Sequence, residues 1–478
     1  MQSTEKNKKP PFQMPTSFAI LAVLLIILAL ATLLASRLGA EGVTGATLSM
    51  TVLAPVNGFT DAVPVCLFVM ILGGFLGVVA KTGALDAGIT TLVHKLKGRE
   101  LMLIPILMTL FSVGGTTFGM GEETVPFYFL LAATMYAAGF DALVGASMVL
   151  LGAGSGVLGS TINPFATGAA IDSLSESGLE INQGIVIAEG AVLWVVSLVI
   201  SIAFVMHYAK KVQSDPSRSI LTLEEKKQSD LAFCIESNVD GETKGLITRR
   251  QKGVLVVFAL AFVTMIVGVI PWETFGVNCF AWSAALTGVP FGQWYYSDTT
   301  TVFLLTSVIV AFVGKLTQRE FVDAFVGGVG EIMGVVLVIA LARSFTVLMA
   351  ATGFDLFVLT SAAEALSGVS ALVFAPLSYC LYVLLSFLVP SSSGLATLSV
   401  PIMAPLASQL GFSPETMIMV FSAGNGLVNL FTPTCGFIMG GLAIAKIEYS
   451  TWLKFSGKVI LSIAAFSMVF LTLAMLVL

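Results

Sequence analysis

The chain has 478 residues, 56% of them hydrophobic and only 11% charged. A water-soluble protein could not cover so apolar a composition with solvated surface, so the pattern is that of a polytopic membrane protein. The net charge of −5 says little by itself because the charges are strongly segregated; the expected partners are a small-molecule substrate and the lipid bilayer, not nucleic acid.

In chain order, residues 1–16 form a polar tail, basic up to Lys9 and followed by Pro10 and Pro11. The first apolar run, 17–38, is too long for a signal-peptide core and lacks a convincing small-residue cleavage site, so it reads as a retained span. A crossing needs about 20 apolar residues. On that criterion further full spans are expected at 61–81, 141–170, 185–208, 252–270, 299–314, 328–350, 413–445 and 456–478. Two other apolar stretches, 101–138 and 369–408, are interrupted at the centre by a polar tip containing glycine or proline. Each half is too short or too polar-ended to cross alone. Both stretches read as re-entrant hairpins, whose irregular backbone must line protein or a water cavity. The expectation is an all-α polytopic fold of about nine transmembrane helices plus two re-entrant hairpins.

The charges orient it. With the N-terminus inside, all but two of the 23 basic residues fall on cytoplasmic segments. The exceptions are Arg37, at an outer end, and Arg343, within a span. Glu41, Asp172, Glu176, Glu180, Glu273, Asp298, Asp355 and Glu364 fall outside, which is a strong positive-inside bias. The tail at 1–16 is then cytoplasmic. The first membrane half is 17–211, the cytoplasmic and flexible linker 212–251, and the second half 252–478. His94 and His207 fall at span ends, against a histidine metal site. The five cysteines, Cys66, Cys234, Cys279, Cys380 and Cys435, lack any paired spacing and read as small apolar fillers.

The halves echo each other. Lys81-Thr82-Gly83 pairs with Ala351-Thr352-Gly353, Gly139-Phe140 with Gly411-Phe412, Ala153-Gly154-Ser155-Gly156 with Ala423-Gly424-Asn425-Gly426, and Asn163-Pro164 with Thr432-Pro433. The repeat cores are 61–208 and 328–478. One starts outside and the other inside, the inverted arrangement of secondary transporters with the site at the repeat interface.

Four broken elements would converge there. The first hairpin tip offers Gly115, Thr116, Thr117, Glu122 and Glu123. The first broken span offers Ser160, Thr161, Asn163 and Pro164. The second tip offers Ser391, Ser392, Ser393 and Gly394. The second broken span offers Asn425, Asn429, Thr432, Pro433 and Thr434. Glycine and proline unwind helices and free backbone groups. Half-helix N-termini favour anions, and carbonyl ends favour cations. Hydroxyl and amide oxygens suit Na⁺ or a polar substrate. We expect Thr116, Thr117, Glu122, Glu123, Asn163, Arg343, Ser391, Ser392, Ser393, Asn429 and Thr432 to contact substrate. Gly115, Ser160, Thr161, Pro164, Gly394, Asn425, Pro433 and Thr434 are expected to form ion or backbone sites.

Intramembrane charge marks function or pairing. Glu122 and Glu123 suit a cationic group or a carried proton; Arg343 suits a substrate carboxylate or a structural glutamate partner. Glu189 and Glu331, near span ends, are expected to be solvated. Trp294-Tyr295-Tyr296 reads as an interfacial aromatic belt. No nucleotide-binding phosphate loop and no HExxH zinc pattern are present, so an ATP-driven pump and an intramembrane enzyme are disfavoured. No cofactor is expected beyond a coupling ion, Na⁺ or H⁺.

Gly114–Thr124, Lys81–Asp86, Thr161–Gly168 and Pro390–Ala396 together resemble the YfcC-type basic amino-acid antiporters. That group includes arginine/ornithine exchangers and sits near the anaerobic four-carbon dicarboxylate carriers in the ion-transporter superfamily. The resemblance covers nearly the whole chain except 212–251. It implies a dimerising scaffold domain, a mobile transport domain and elevator-like alternating access. The resulting expectation is arginine/ornithine exchange across the cell membrane, with ion-coupled carriage of a four-carbon dicarboxylate or other carboxylate as the alternative.

Overall fold

A computed structural model describes residues 17–85, 87, 88, 91, 99–174, 179–233, 247–270, 272, 276, 277, 279–389 and 391–477. Among them every regular element is a helix. The principal helices are α1 (Ser17–Arg37), α2 (Leu48–Lys81), α3 (Leu103–Phe118), α4 (Val125–Ala137), α5 (Ala142–Gly159), α6 (Gln183–Ser214), α7 (Leu223–Phe233) and α8 (Arg249–Val269). They continue as α9 (Tyr296–Gly314), α10 (Gln318–Thr352), α11 (Phe354–Leu366), α12 (Ala371–Leu388), α13 (Ser392–Gln409), α14 (Pro414–Val428), α15 (Gly436–Ile444) and α16 (Tyr449–Val477).

Among the described residues, 10 helical stretches are long and apolar enough to cross a membrane. Two of them, Glu100–Thr117 and Ala371–Leu388, are the first arms of the stretches expected as hairpins. At 18 residues each they reach spanning length, so these two arms are not too short to cross. The expected span 413–445 is divided, at the break its sequence predicts, into α14, of 15 residues, and α15, of 9. α2 and α10 run to 34 and 35 residues, well past the 61–81 and 328–350 expected from apolarity alone.

Those two long helices cross antiparallel, with Gly58 against Ser344, Cys66 Sγ donating to Val336 O, and Gly73 against Gly328. A Cβ on Gly328 would stand 2.2 Å from Gly73 O, so only glycine permits this backbone approach. Every residue of α5 is buried, and it crosses α14 antiparallel, Ser422 Oγ donating to Leu158 O at 3.3 Å. The apolar side chains separate into two clusters. One gathers α3 to α6 and α12 to α16; the other gathers α2, α8, α9 and the middle of α10.

The segment between the halves is more ordered than expected. α6 continues to Ser214, a short turn follows at Pro216–Arg218, and α7 packs against α4. Phe233 meets the rings of Phe129 and Tyr136, and the Tyr136 hydroxyl donates to Asp230. Glu225 is buried and accepts from Glu448 N at 2.8 Å and Thr451 Oγ1 at 3.1 Å, tying α7 to the start of α16. The described part of 212–251 is thus helical and packed rather than without regular structure. Its remainder, 234–246 with Cys234, lies outside the described residues, as do the 1–16 tail and His94.

Candidate functional site

Both expected hairpin stretches break between helices at the expected tips, α3 ending at Phe118 before α4 begins at Val125, and α12 ending at Leu388 before α13 begins at Ser392. α3 is capped by Gly119, whose φ of +72° is left-handed. A Cβ there would meet Asn163 Oδ1 at 2.7 Å, so a glycine is required on both counts. The first broken span breaks where its sequence predicts. α5 stops at Gly159, and Ser160 takes a left-handed φ of +37°. Asn163 then caps a π-turn at Pro164–Gly168.

Hydroxyls fasten that break to the tip. Thr161 N donates to Thr116 Oγ1 at 3.1 Å, and Thr161 Oγ1 to Thr116 O at 3.2 Å. Asn163 Nδ2 donates to Ser160 Oγ at 2.9 Å while Asn163 Oδ1 accepts from Phe165 N at 2.9 Å. Thr167 Oγ1 donates to Ser160 O at 2.8 Å. The polar atoms of Thr116, Ser160 and Asn163 are therefore engaged in holding the break.

The second pair of elements is less saturated. Ser391 caps α13, accepting from Gly394 N at 3.3 Å, and Ser392 Oγ donates to Asn425 Oδ1 at 2.6 Å. Asn429 Nδ2 donates to the same oxygen at 3.1 Å. Thr434 Oγ1 donates to Phe387 O at 3.1 Å and lies 2.7 Å from Thr432 Oγ1. Asn425 Nδ2 and Asn429 Oδ1, both buried, have no hydrogen-bond partner among the described residues. Buried amide atoms left unpaired are costly, which sets these two apart from the saturated groups of the first break.

These elements enclose a cavity of about 140 Å³. Of the expected residues, Glu123, Arg343, Ser391, Ser392, Ser393, Asn429 and Thr434 line it. Thr116, Thr117, Asn163, Thr432, Gly115, Ser160, Thr161, Pro164, Gly394, Asn425 and Pro433 stand in the same tips and breaks but outside the lining. The Glu122 side chain lies outside what the structure describes. Glu123 Oε2 accepts from Gly121 N at 3.1 Å, which fixes the carboxylate within its own tip.

Three features escape the sequence reading. Arg343 pairs with an aspartate, not a glutamate: its Nε is 3.6 Å from Asp61 Oδ2 on α2. Tyr295 and Tyr296 line the cavity, with the ring of Phe165 tilted at 42° to that of Tyr295 at a centroid distance of 5.9 Å. Their neighbour Trp294 is buried, its Nε1 donating to Val289 O at 2.9 Å, while Tyr295 keeps 54% of its surface exposed. Glu189 is buried at 6% exposure and accepts from Thr416 Oγ1 at 2.7 Å, against the expected solvation. Only side-chain placement across helices distant in sequence shows these. Among the described residues, no three His, Cys, Asp or Glu side chains gather as a metal ligand set.

Residues 4–476 match the model of the C4-dicarboxylate anaerobic carrier family, DcuC. An uncharacterized Haemophilus influenzae protein is 32% identical over 416 residues, 87% of this chain and 75% of that one. YfcC of Escherichia coli (strain K12), a proposed basic amino acid antiporter, is 29% identical over 422 residues, 84% of this chain and 76% of its own. The YdaH transporter of Alcanivorax borkumensis superposes with a TM-score of 0.44 at 15% identity, over 95% of this chain and 98% of that structure.

Proposed function

The chain belongs to the C4-dicarboxylate anaerobic carrier family, and from that premise we infer a secondary transporter that exchanges basic amino acids, arginine against ornithine. That it is a multi-pass membrane transport protein follows from its family and its apolar helices. The substrate reading is carried by one observation: an acid from a hairpin tip, Glu123, and an arginine from a long helix, Arg343, line the same cavity. A basic amino acid presents a carboxylate at one end and a cation at the other, and two opposite fixed charges complement it. The name of the YfcC relative points the same way.

The mechanism we propose is elevator-like alternating access between two inverted repeats, with re-entrant hairpins carrying the site. Its support is the division of the apolar core into two clusters, with cavity residues drawn from both: Val65 and Ile339 from one, Cys435 and Phe437 from the other. The resemblance to antiporters adds a homodimer joined through the scaffold. The segregated basic residues support a cytoplasmic N-terminus in the cell membrane. Coupling to Na⁺ or H⁺ is the alternative to strict exchange.

The family's description favours a second reading, a four-carbon dicarboxylate carrier. The capped N-terminus of α13, with Ser391, Ser392 and Ser393 at the cavity, would serve as its anion site. Counterflow in proteoliposomes separates the two. Vesicles loaded with ornithine should take up labelled arginine, whereas empty and succinate-loaded vesicles should not. Succinate exchange without arginine entry would reject the basic amino-acid reading.

A further inference from the structure

Building on the amino-acid reading, we propose that Asp61 and Arg343 together receive the α-amino-acid head group, Arg343 taking the carboxylate and Asp61 the ammonium.

The geometry is that of a half-open ion pair. Arg343 Nε and Asp61 Oδ2 are 3.6 Å apart, and the two side chains keep 30% and 51% of their surface exposed. A closed charge-assisted hydrogen bond is about 2.7–2.9 Å, so the pair is adjacent without being locked. The contact uses the Nε edge of the guanidinium. Among the described residues neither side chain has a hydrogen bond, and the two terminal nitrogens of the fork remain for a bidentate carboxylate.

The placement is rigid. Gly58, one turn before Asp61, packs so closely on α10 that a Cβ there would lie 2.6 Å from Ser344 N, the neighbour of Arg343. The pair is therefore held by the tightest kind of helix crossing and not by flexible loops. Arg343 lines the cavity with Ile339 and Ala342 of α10; Asp61 stands just outside that lining, one turn before Val65, which lines it from α2.

The chemistry follows from charge order. An α-amino acid carries ammonium and carboxylate on one carbon. Beside a neighbouring carboxylate and guanidinium it docks as a complementary, oppositely ordered pair. Glu123, on the first tip, lines the same cavity and supplies the negative charge for the side-chain cation. A dicarboxylate or a deaminated acid could use Arg343 but would bring nothing for Asp61. A second carboxylate placed there would be repelled. Asp61 is thus the residue that sets preference for an α-amino group.

The test compares ligands that differ by one group, as competitors of transport and as stabilisers of the purified full-length protein against heat. In the wild type, arginine should bind more tightly than its 2-hydroxy analogue, in which a hydroxyl replaces the α-ammonium. The gap expected for one charge-assisted hydrogen bond is on the order of tenfold to a hundredfold. Asp61→Asn should weaken arginine to the level of that analogue and leave the analogue unchanged. Arg343→Gln should weaken both, while leaving agmatine, which has no carboxylate, unaffected; unchanged agmatine binding shows that Arg343→Gln folds, as unchanged binding of the hydroxy analogue shows for Asp61→Asn. Equal loss of arginine and its hydroxy analogue in Asp61→Asn would overturn the proposal, reducing Asp61 to a brace for Arg343. So would a wild type that binds no α-amino acid better than its hydroxy acid. If arginine fails while neutral α-amino acids bind with the same Asp61-dependent preference, the head-group inference stands and the basic side-chain reading falls.

Discussion

Gly119 and Asn163 meet so closely that a Cβ on the glycine would lie 2.7 Å from Asn163 Oδ1 and 2.8 Å from Nδ2. The first tip and the first helix break are thereby one structural unit. Gly119→Ala adds a left-handed backbone penalty of about 1–2 kcal/mol and a clash with a side chain already fixed by Ser160 and Phe165. We expect the variant to insert and purify but to lose at least about tenfold in counterflow rate, since about 1.4 kcal/mol corresponds to a factor of ten. Unchanged counterflow would show that the tip tolerates displacement from the break.

The asparagines divide by role. Asn163 is satisfied inside the break, whereas Asn429 lines the cavity at 4% exposure with its Oδ1 unpartnered among the described residues. Asn163→Ala removes a cap worth about 0.5–2 kcal/mol and should lower the melting temperature more than it changes substrate affinity. Asn429→Ala should do the reverse, raising KM for counterflow about tenfold, the size of one hydrogen bond to a charged ligand. Measuring both quantities for both variants checks the division.

What was legible in the sequence followed from local chemistry. Glycine, proline and hydroxyl clusters mark where helices must stop, and α3, α5 and α14 stop there. Apolar runs mark helices, but not their ends. α2 and α10 outrun their apolar stretches because polar N-caps, Thr47 and Thr317, and a close glycine crossing carry them further. Asp61 was illegible as a partner for Arg343, since nothing local links residues so far apart. The roles of Tyr295 and Glu189 were hidden for the same reason. An aromatic at a span end fits an interface as well as a cavity, and the burial of a glutamate in the second turn of α6 depends on distant α14, whose Thr416 donates to it.

Glu225 gives the segment between the halves a measurable role. Its carboxylate accepts from Thr222 N at 2.7 Å, Glu448 N at 2.8 Å and Thr451 Oγ1 at 3.1 Å, at 3% exposure. Glu225→Ala leaves those donors without their acceptor and should destabilise the protein by about 1–3 kcal/mol. Glu225→Gln keeps one acceptor oxygen and should lose less. Thermal unfolding in detergent, ordered wild type, Gln, Ala, checks it; an unshifted Ala variant would show that α7 is not fastened through this side chain.

Asp141 supplies a pH dependence with a definite sign. It caps α5 just outside the span, accepting from Val144 N at 3.1 Å, Tyr208 Oη at 2.6 Å and Ser219 Oγ at 2.7 Å. Burial pushes its carboxyl above the ordinary value of 3.8, and the bonds from Tyr208 and Ser219 oppose that rise only in part. A folded state that holds the proton more tightly than the unfolded chain loses stability as pH rises from 3.8 through the raised folded value. Below 3.8 the contribution is fully present, and above the raised value the loss is complete and level. Asp141→Asn has no proton to release, so its melting temperature should lack that component of the decline. The wild-type minus variant difference, followed upward from about pH 4, should therefore fall and then flatten. A difference that instead grew with pH would mean that the three donors outweigh burial and that the carboxylate is the favoured form.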